Sequence, residues 1–266
     1  MEWSADALVL AVRRLGESGA VVSLLTAEHG RHAGLVPGGV ARRAQAMLQP
    51  GNRVHARWRA RLADQLGTLA CELVRPLAPR VLADRRRLAA VTAACALLET
   101  ALPEREPLPS LYEALMAMLQ TLEAAPEAVW PADYVRFEIA LLADLGYGLD
   151  LGCCAVTGAT RDLAFVSPRT GRAVSALAAK PWADRLLALP AFLVDPHGST
   201  DARAIAAGLV LTSHFLRRHV YGDRKAGLPP ARLRLQALFG SAPGTTSKSS
   251  DGLSPGEAVV QETDGR

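Results

Sequence analysis

From Arg53 to Leu62 the chain alternates with a period of two: Arg53, His55, Arg57, Arg59 and Arg61 fall on odd positions, and Val54, Ala56, Trp58, Ala60 and Leu62 on even ones. Successive side chains of a β-strand point to opposite faces, whereas a helix would scatter both sets around its circumference. The pattern therefore predicts a strand with one apolar face turned to a core and one cationic face turned away from it. The surrounding segment is segregated by sign as well, with seven arginines and no Asp or Glu between His29 and Ala63. An antiparallel sheet packed on one side normally shows polar residues on the other, so a plain solvated face is one reading. Solvated faces usually interleave both signs, however, because like charges side by side repel. The missing carboxylates favour a polyanion lying along the row, whose same-face neighbours are about 6.6 Å apart. Arginine dominates the whole chain, with Lys180, Lys225 and Lys248 its only lysines, so the choice of Arg over Lys carries little weight.

A length of 266 residues suits about two domains, and a hydrophobic fraction of 50% supplies ample core. Net charge is only +4, yet residues 1–80 alone hold eleven Arg against six acids, so the basic excess belongs to the amino-terminal part. The opening residues, Met1-Glu2-Trp3-Ser4-Ala5-Asp6, put acids where a secretory signal has basic residues, and no apolar stretch follows. The longest apolar run, residues 88–98, is far short of the roughly 20 residues that cross a bilayer. Cys71, Cys95, Cys153 and Cys154 form no spaced pairs. These features together predict a reduced, cytoplasmic protein with no membrane span.

Residues 6–75 alternate at period two between turn signals. Leu8, Leu10 and Val12 run to Gly16; Val22, Leu24 and Thr26 run to His29-Gly30; Ala33 and Leu35 run to Pro37-Gly38-Gly39. The basic strand follows Pro50-Gly51, and a last run ends at Pro76. Five short strands in such a span suggest a small closed barrel of the OB kind, which leaves one outer face and its loops free to bind. Past Asp84 the period becomes helical: 84–101 with Asp84 as cap, about 110–124, and about 132–145 ended by Gly146. Residues 165–175 read as strand, turn, strand, and helices return over 201–219 and 231–238. Beyond Ser241 the chain is rich in Gly, Ser, Thr and Pro and is expected to be disordered. The fold class is thus α+β, an amino-terminal five-stranded OB-fold barrel followed by a helical domain with a small embedded β-hairpin. Its expected divisions are 1–80 for a nucleic-acid-binding barrel, 81–149 and 181–240 for two parts of the helical domain, 150–180 for the hairpin module, and 241–266 for the tail.

The residue sets of common enzymes are absent: there is no Walker A loop, GxSxG elbow, HExxH helix or GxGxxG turn, and no catalytic residue is assigned. His29 and His32 lie in or beside a basic turn and strand, where solvent or phosphate contact is the simplest role. His214 and His219 fall near a helix end, whose partial negative charge accounts for them. Trp58 is a candidate platform for a stacked base, but its parity groups it with Val54 and Leu62, in the core.

The opening resembles the RecO family of bacterial recombination mediators, through Leu8-Val9-Leu10, Gly16-Glu17, Val22-Ser23-Leu24-Leu25-Thr26, Glu28-His29-Gly30, Gly38-Gly39 and Leu48-Gln49-Pro50-Gly51. The middle is similar through Phe137-Glu138, Leu141-Leu142, Leu145-Gly146-Tyr147, Leu149-Asp150-Leu151, Cys154 and Gly158. The resemblance implies a non-enzymatic DNA-repair mediator that binds single- and double-stranded DNA and anneals complementary strands. It also implies work with RecR and single-strand-binding protein, so that RecA can load, at the nucleoid in the cytoplasm. The acidic tail of single-strand-binding protein would be received by the helical domain. Some relatives hold zinc with two CxxC pairs in the late module; here Thr157 replaces the first pair's second Cys, and the region of the second reads Val174-Ser175-Ala176-Leu177. No metal and no cofactor are therefore expected.

Annealing needs phosphate neutralisation rather than a covalent step, and the planar fork of arginine suits phosphate. The candidate DNA contacts are Arg53, His55, Arg57, Arg59 and Arg61 on the strand, with Arg31, Arg42 and Arg43 from the neighbouring turn and loop. A second basic cluster, Arg217, Arg218, His219, Arg224, Lys225, Arg232 and Arg234, either extends the track or serves helix termini. An OB-fold RNA binder and a basic protein-interaction scaffold are the alternatives. Only 5% of the chain is aromatic and the proposed face holds no aromatic residue, which disfavours sequence-specific RNA readout.

Overall fold

In the computed structural model, which describes residues 1–62, 64–222 and 227–240, five strands close a barrel. These are β1 (Glu2–Leu15), β2 (Gly19–Thr26), β3 (Gly30–Val36), β4 (Arg53–Arg59) and β5 (Thr68–Arg75), ordered β1-β2-β3-β5-β4. All pairings are antiparallel except the closing contact, a parallel step between Leu35 of β3 and Thr68 of β5. That is the expected OB-type arrangement, and the helical remainder makes the whole α+β. The barrel interior holds Val9, Val22, Leu24, Val54, Ala56, Trp58 and Leu69. Val54, Ala56 and Trp58 are the even members of the alternating run, so the period-two reading gives the correct inward face.

Two local features differ from the sequence reading. β4 stops at Arg59, which faces Thr68, the first residue of β5, although Ala60 N–H still donates to the carbonyl of Met1. Leu62, assigned to the inner face, is instead 53% exposed. The loop expected between β3 and β4 contains a short helix, α1 (Arg42–Met47), whose Ala44 and Met47 pack against the barrel core beside buried Leu48.

The helical part comprises α2 (Pro79–Ala83), α3 (Arg85–Ala101), α4 (Pro109–Ala124) and α5 (Trp130–Asp144). Asp84 caps α3, accepting the backbone N–H groups of Arg86 and Arg87. The late module has β6 (Leu163–Val166) and β7 (Ala173–Ser175) as expected, followed by α6 (Ala176–Ala179). An unexpected third strand, β8 (Leu187–Ala188), adds to β6. The chain ends in α7 (Ala202–Phe215), prolonged by a π-helical turn over Leu216–Val220, and α8 (Pro230–Gly240). The tail expected to be disordered, residues 241–266, lies outside the described residues.

Barrel and helices share one core. Leu8, Leu10 and Leu25 point out of the barrel and pack with Val91, Cys95 and Leu98 of α3. A strap at 102–106 crosses the barrel: Arg105 N–H donates to the carbonyl of Arg31 at 2.7 Å, and a Cβ on Gly30 (φ +61°) would lie 2.0 Å from the carbonyl oxygen of Glu106. Only glycine fits there. Among the described residues no helix is long and apolar enough to cross a membrane.

Candidate nucleic-acid interface

β4 carries its odd residues outward, as its alternation requires: His55, Arg57 and Arg59 are exposed and Arg53 is half-buried. Arg61 is also exposed, but beyond the strand, in a bend. Arg42 and Arg43 are exposed on α1, which precedes β4 and leaves them at the strand's opposite end from Arg59. With a rise of about 3.3 Å per residue, Arg53 and Arg59 are roughly 20 Å apart. The basic residues thus form an elongated track rather than a compact patch.

The local absence of acids in sequence does not survive pairing. β1 sets Glu2 opposite Arg59, Ser4 opposite Arg57 and Asp6 opposite His55, while β5 sets Glu72 on the other side of His55. His55 Nδ1–H donates to Asp6 Oδ1 at 2.9 Å, and its Nε2 lies 2.8 Å from Ser4 Oγ. Arg57 Nε is 3.8 Å from Glu2 Oε1. The face is therefore mixed in sign, against the expectation of unopposed cations, and the carboxylates come from strands remote in sequence. Exposed pairs of this kind are weak, about 0–1 kcal/mol, so a phosphate can replace them. Arg57 keeps 67% of its side chain exposed despite its pair with Glu2.

Arg31 does not join the track. Its guanidinium lies 3.4 Å from Glu104 and 3.7 Å from Glu99, and its Nε–H donates to the carbonyl of Leu102. Helical-domain acids and the strap hold it at 13% side-chain exposure. Arg53 borders a cavity of about 530 Å³ between β5 and α4, together with Arg75, which pairs with Glu123.

The second cluster divides on folding, with Arg234 exposed and Arg232 withdrawn. Arg232 is fully buried and pairs with Glu138, its Nη2 donating to Glu138 Oε2 at 2.8 Å and to the carbonyl of Leu209. Its proton is held more tightly than usual: burial opposes this, but the Glu138 carboxylate outweighs it. His219 stacks between Tyr147 and Phe215, and its pKa is lowered by burial, Arg218 and His214. Arg217 and Arg218 stay exposed, although Arg218 donates to the carbonyl of Pro168. Arg224 and Lys225 lie outside the described residues.

Trp58 is a core residue, 2% exposed, with Nε1–H donating to the carbonyl of Leu66. His32 is buried and His29 half-buried, both among aromatic rings. His29 stacks on Trp3 with ring centroids 4.5 Å apart, and His32, 4% exposed, meets Trp3 and Trp58 edge-on. Burial, Arg105 and His29 push the His32 pKa down to about 4, with Glu104 pulling the other way. Sequence reasoning missed this aromatic cluster at the barrel's end; its signal was Trp3, an inward position only once β1 is known to begin at Glu2.

The late module does not suit a zinc ion. Cys154 Sγ accepts the N–H of Ser175 at 3.3 Å, and position 157 and the 174–177 segment offer no thiol or imidazole. A tetrahedral cage needs four such ligands. Burial would raise the Cys154 pKa, but hydrogen bonds from Ser175 and Thr157 bring it down to about 6.

Residues 1–77 match the family model Recombination protein O N terminal, and residues 82–227 match Recombination protein O C terminal. The chain is 54% identical over 236 residues to the DNA repair protein RecO of Rhodospirillum centenum, covering 88% of this chain and 93% of that one. It is 52% identical to the DNA repair protein RecO of Rhodospirillum rubrum, over 88% and 94% of the two chains. The similarity to that of Phenylobacterium zucineum is also 52%, over 88% and 96%.

Proposed function

This chain belongs to the RecO family of DNA repair and recombination proteins, and from that premise we propose that it binds single- and double-stranded DNA along β4 and anneals complementary strands without covalent chemistry. The observation that carries the reading is the outward row of Arg57 and Arg59, continued by Arg61 and, at the far end, by Arg42 and Arg43. Five such contacts neutralise phosphates of two strands, lower their repulsion and leave the bases free to pair. Their acidic neighbours Glu2, Asp6 and Glu72 sit beside the track and are displaced, not removed, when phosphate arrives. RecR and the acidic tail of single-strand-binding protein are its proposed partners in loading RecA, in the cytoplasm at the nucleoid. For the tail, a groove of about 760 Å³ rimmed by Arg85, Arg86 and Arg234 and floored by Leu88 and Ala89 has suitable charge and apolarity.

The test is annealing of complementary oligonucleotides, with and without single-strand-binding protein, by the native chain and by the Arg57→Glu/Arg59→Glu variant. The double reversal is expected to reduce binding and annealing together while leaving thermal stability unchanged, because both side chains are exposed. With about five phosphates neutralised, log K against log salt should slope at roughly −3.5 for single strands and −4.5 for duplex. Unaltered affinity in the variant removes β4 as the site. Binding to RNA in preference to DNA, or with no salt dependence, would turn the reading towards an RNA binder or a protein scaffold.

A further inference from the structure

We propose that the open end of the barrel is a nucleobase pocket, in which one unpaired base of a single strand stacks on the outer face of His29, itself backed by Trp3, while its phosphates lie on the adjoining arginines of β4. The inference deepens the DNA-binding reading above and rests on it.

The pocket is built by four separate pieces of chain. Trp3 enters from β1, directly across from Trp58 of β4, and the two rings are nearly parallel at 17° and 6.2 Å. His29, from the β2–β3 turn, continues the column on Trp3 at 21°. His32 wedges edge-on against both indoles, 5.1 Å from Trp3 and 4.7 Å from Trp58. Arg105, from the strap, closes the far side over Trp58 and donates through Nη2 to the carbonyl of Gln65. Trp58 and His32 are buried, whereas Trp3 and His29 remain half-exposed beside a cavity of about 380 Å³. Small-molecule sites start at about 300 Å³, so the cavity has room for one planar ring.

Its polar groups indicate what enters. Trp3 Nε1 and both ring nitrogens of His32 are buried without a hydrogen-bond partner within the protein. Buried polar groups are seldom left so, since each forfeits its hydration for nothing. An indole N–H is a donor, and a neutral imidazole carries one donor and one acceptor, the complement of a nucleobase edge. Two carboxylates, Glu2 and Glu28, line the cavity beside Arg105 and disfavour a phosphate there. A neutral ring with N–H groups is accepted by the same carboxylates. The phosphates stay outside, where Arg57 and Arg59 flank Trp58 in the strand and project to the opposite face. Base–aromatic stacking is tolerant of sequence, which suits a mediator that meets any gap.

A duplex keeps its bases paired and cannot fill the pocket, so the two strand types separate the pocket from the track. The experiment measures fluorescence anisotropy of the full chain with an oligothymidylate, with an abasic oligonucleotide of equal length, and with a duplex. The abasic strand should bind about 5- to 150-fold more weakly than the thymidylate. Trp3→Ala should bring thymidylate down to the abasic level and leave duplex affinity as it was, while Trp3→Phe restores most of the difference. Equal affinity of the native chain for thymidylate and abasic strands overturns the pocket and leaves the arginine track standing. Failure to bind any of the three probes overturns the track as well. Because the native-chain comparison needs no variant, a misfolded Trp3→Ala, betrayed by lost duplex binding, does not shelter the proposal.

Discussion

His32 shows how one side chain records its surroundings. It is an inward residue of β3, held among two indoles, and burial with the nearby Arg105 and His29 lowers its pKa from the ordinary 6.5 to about 4. The folded state therefore refuses a proton that the unfolded chain accepts. Above about pH 6.5 the ring is neutral in both states and stability is insensitive to it; as pH falls from 6.5 towards 4, stability is lost, and below 4 its loss is complete. Urea unfolding across that window should show the native chain losing more stability than His32→Phe, which keeps an edge-on ring but cannot titrate. An equal loss in both would mean that His32 is hydrated in the native state. The phosphate-contact role suggested by neighbouring arginines could not reveal this, because the sequence next to His32 says nothing of Trp3, twenty-nine positions away.

Helices α5, α7 and α8 meet around a charge pair that has left water altogether. Glu138 on α5 accepts from Arg232 on α8 and from the Thr212 hydroxyl on α7, and both charged side chains are fully buried. Such pairs add little net stability when intact, but removing one partner strands the other's charge in the core. Arg232→Met keeps volume and should cost about 3–5 kcal/mol, measured by chemical denaturation. The double variant Glu138→Gln/Arg232→Met should recover much of that loss, because no lone charge remains. The element boundaries themselves were largely legible: Asp84 announced the start of α3, and the period-two run announced β4. What was not legible was which cation belonged to which purpose. Arg232 looked like a member of a surface cluster because a helical sequence displays Arg equally well on either face until its neighbours are placed.

At the scale of the molecule, barrel and helices share one core. Leu8, Leu10 and Leu25 leave the barrel interior to join the helical core, and the 102–106 strap ties Arg31 to Glu99 and Glu104. Calorimetry should therefore give a single cooperative transition whose calorimetric and van't Hoff enthalpies agree; two resolved transitions would show that the shared core contributes little. The primary structure alone determined the five barrel strands, the inward face of β4 and the barrel class, because alternation, turn residues and capping are written over a few neighbouring positions. Tertiary structure alone decided the electrostatics. Carboxylates absent for more than thirty residues around β4 return from β1 and β5, two arginines are withdrawn into ion pairs, and four rings from three segments assemble at the barrel's end. The physical reason is range: backbone periodicity is a local property of the chain, while Coulomb forces, burial and ring stacking act between groups that only folding brings together.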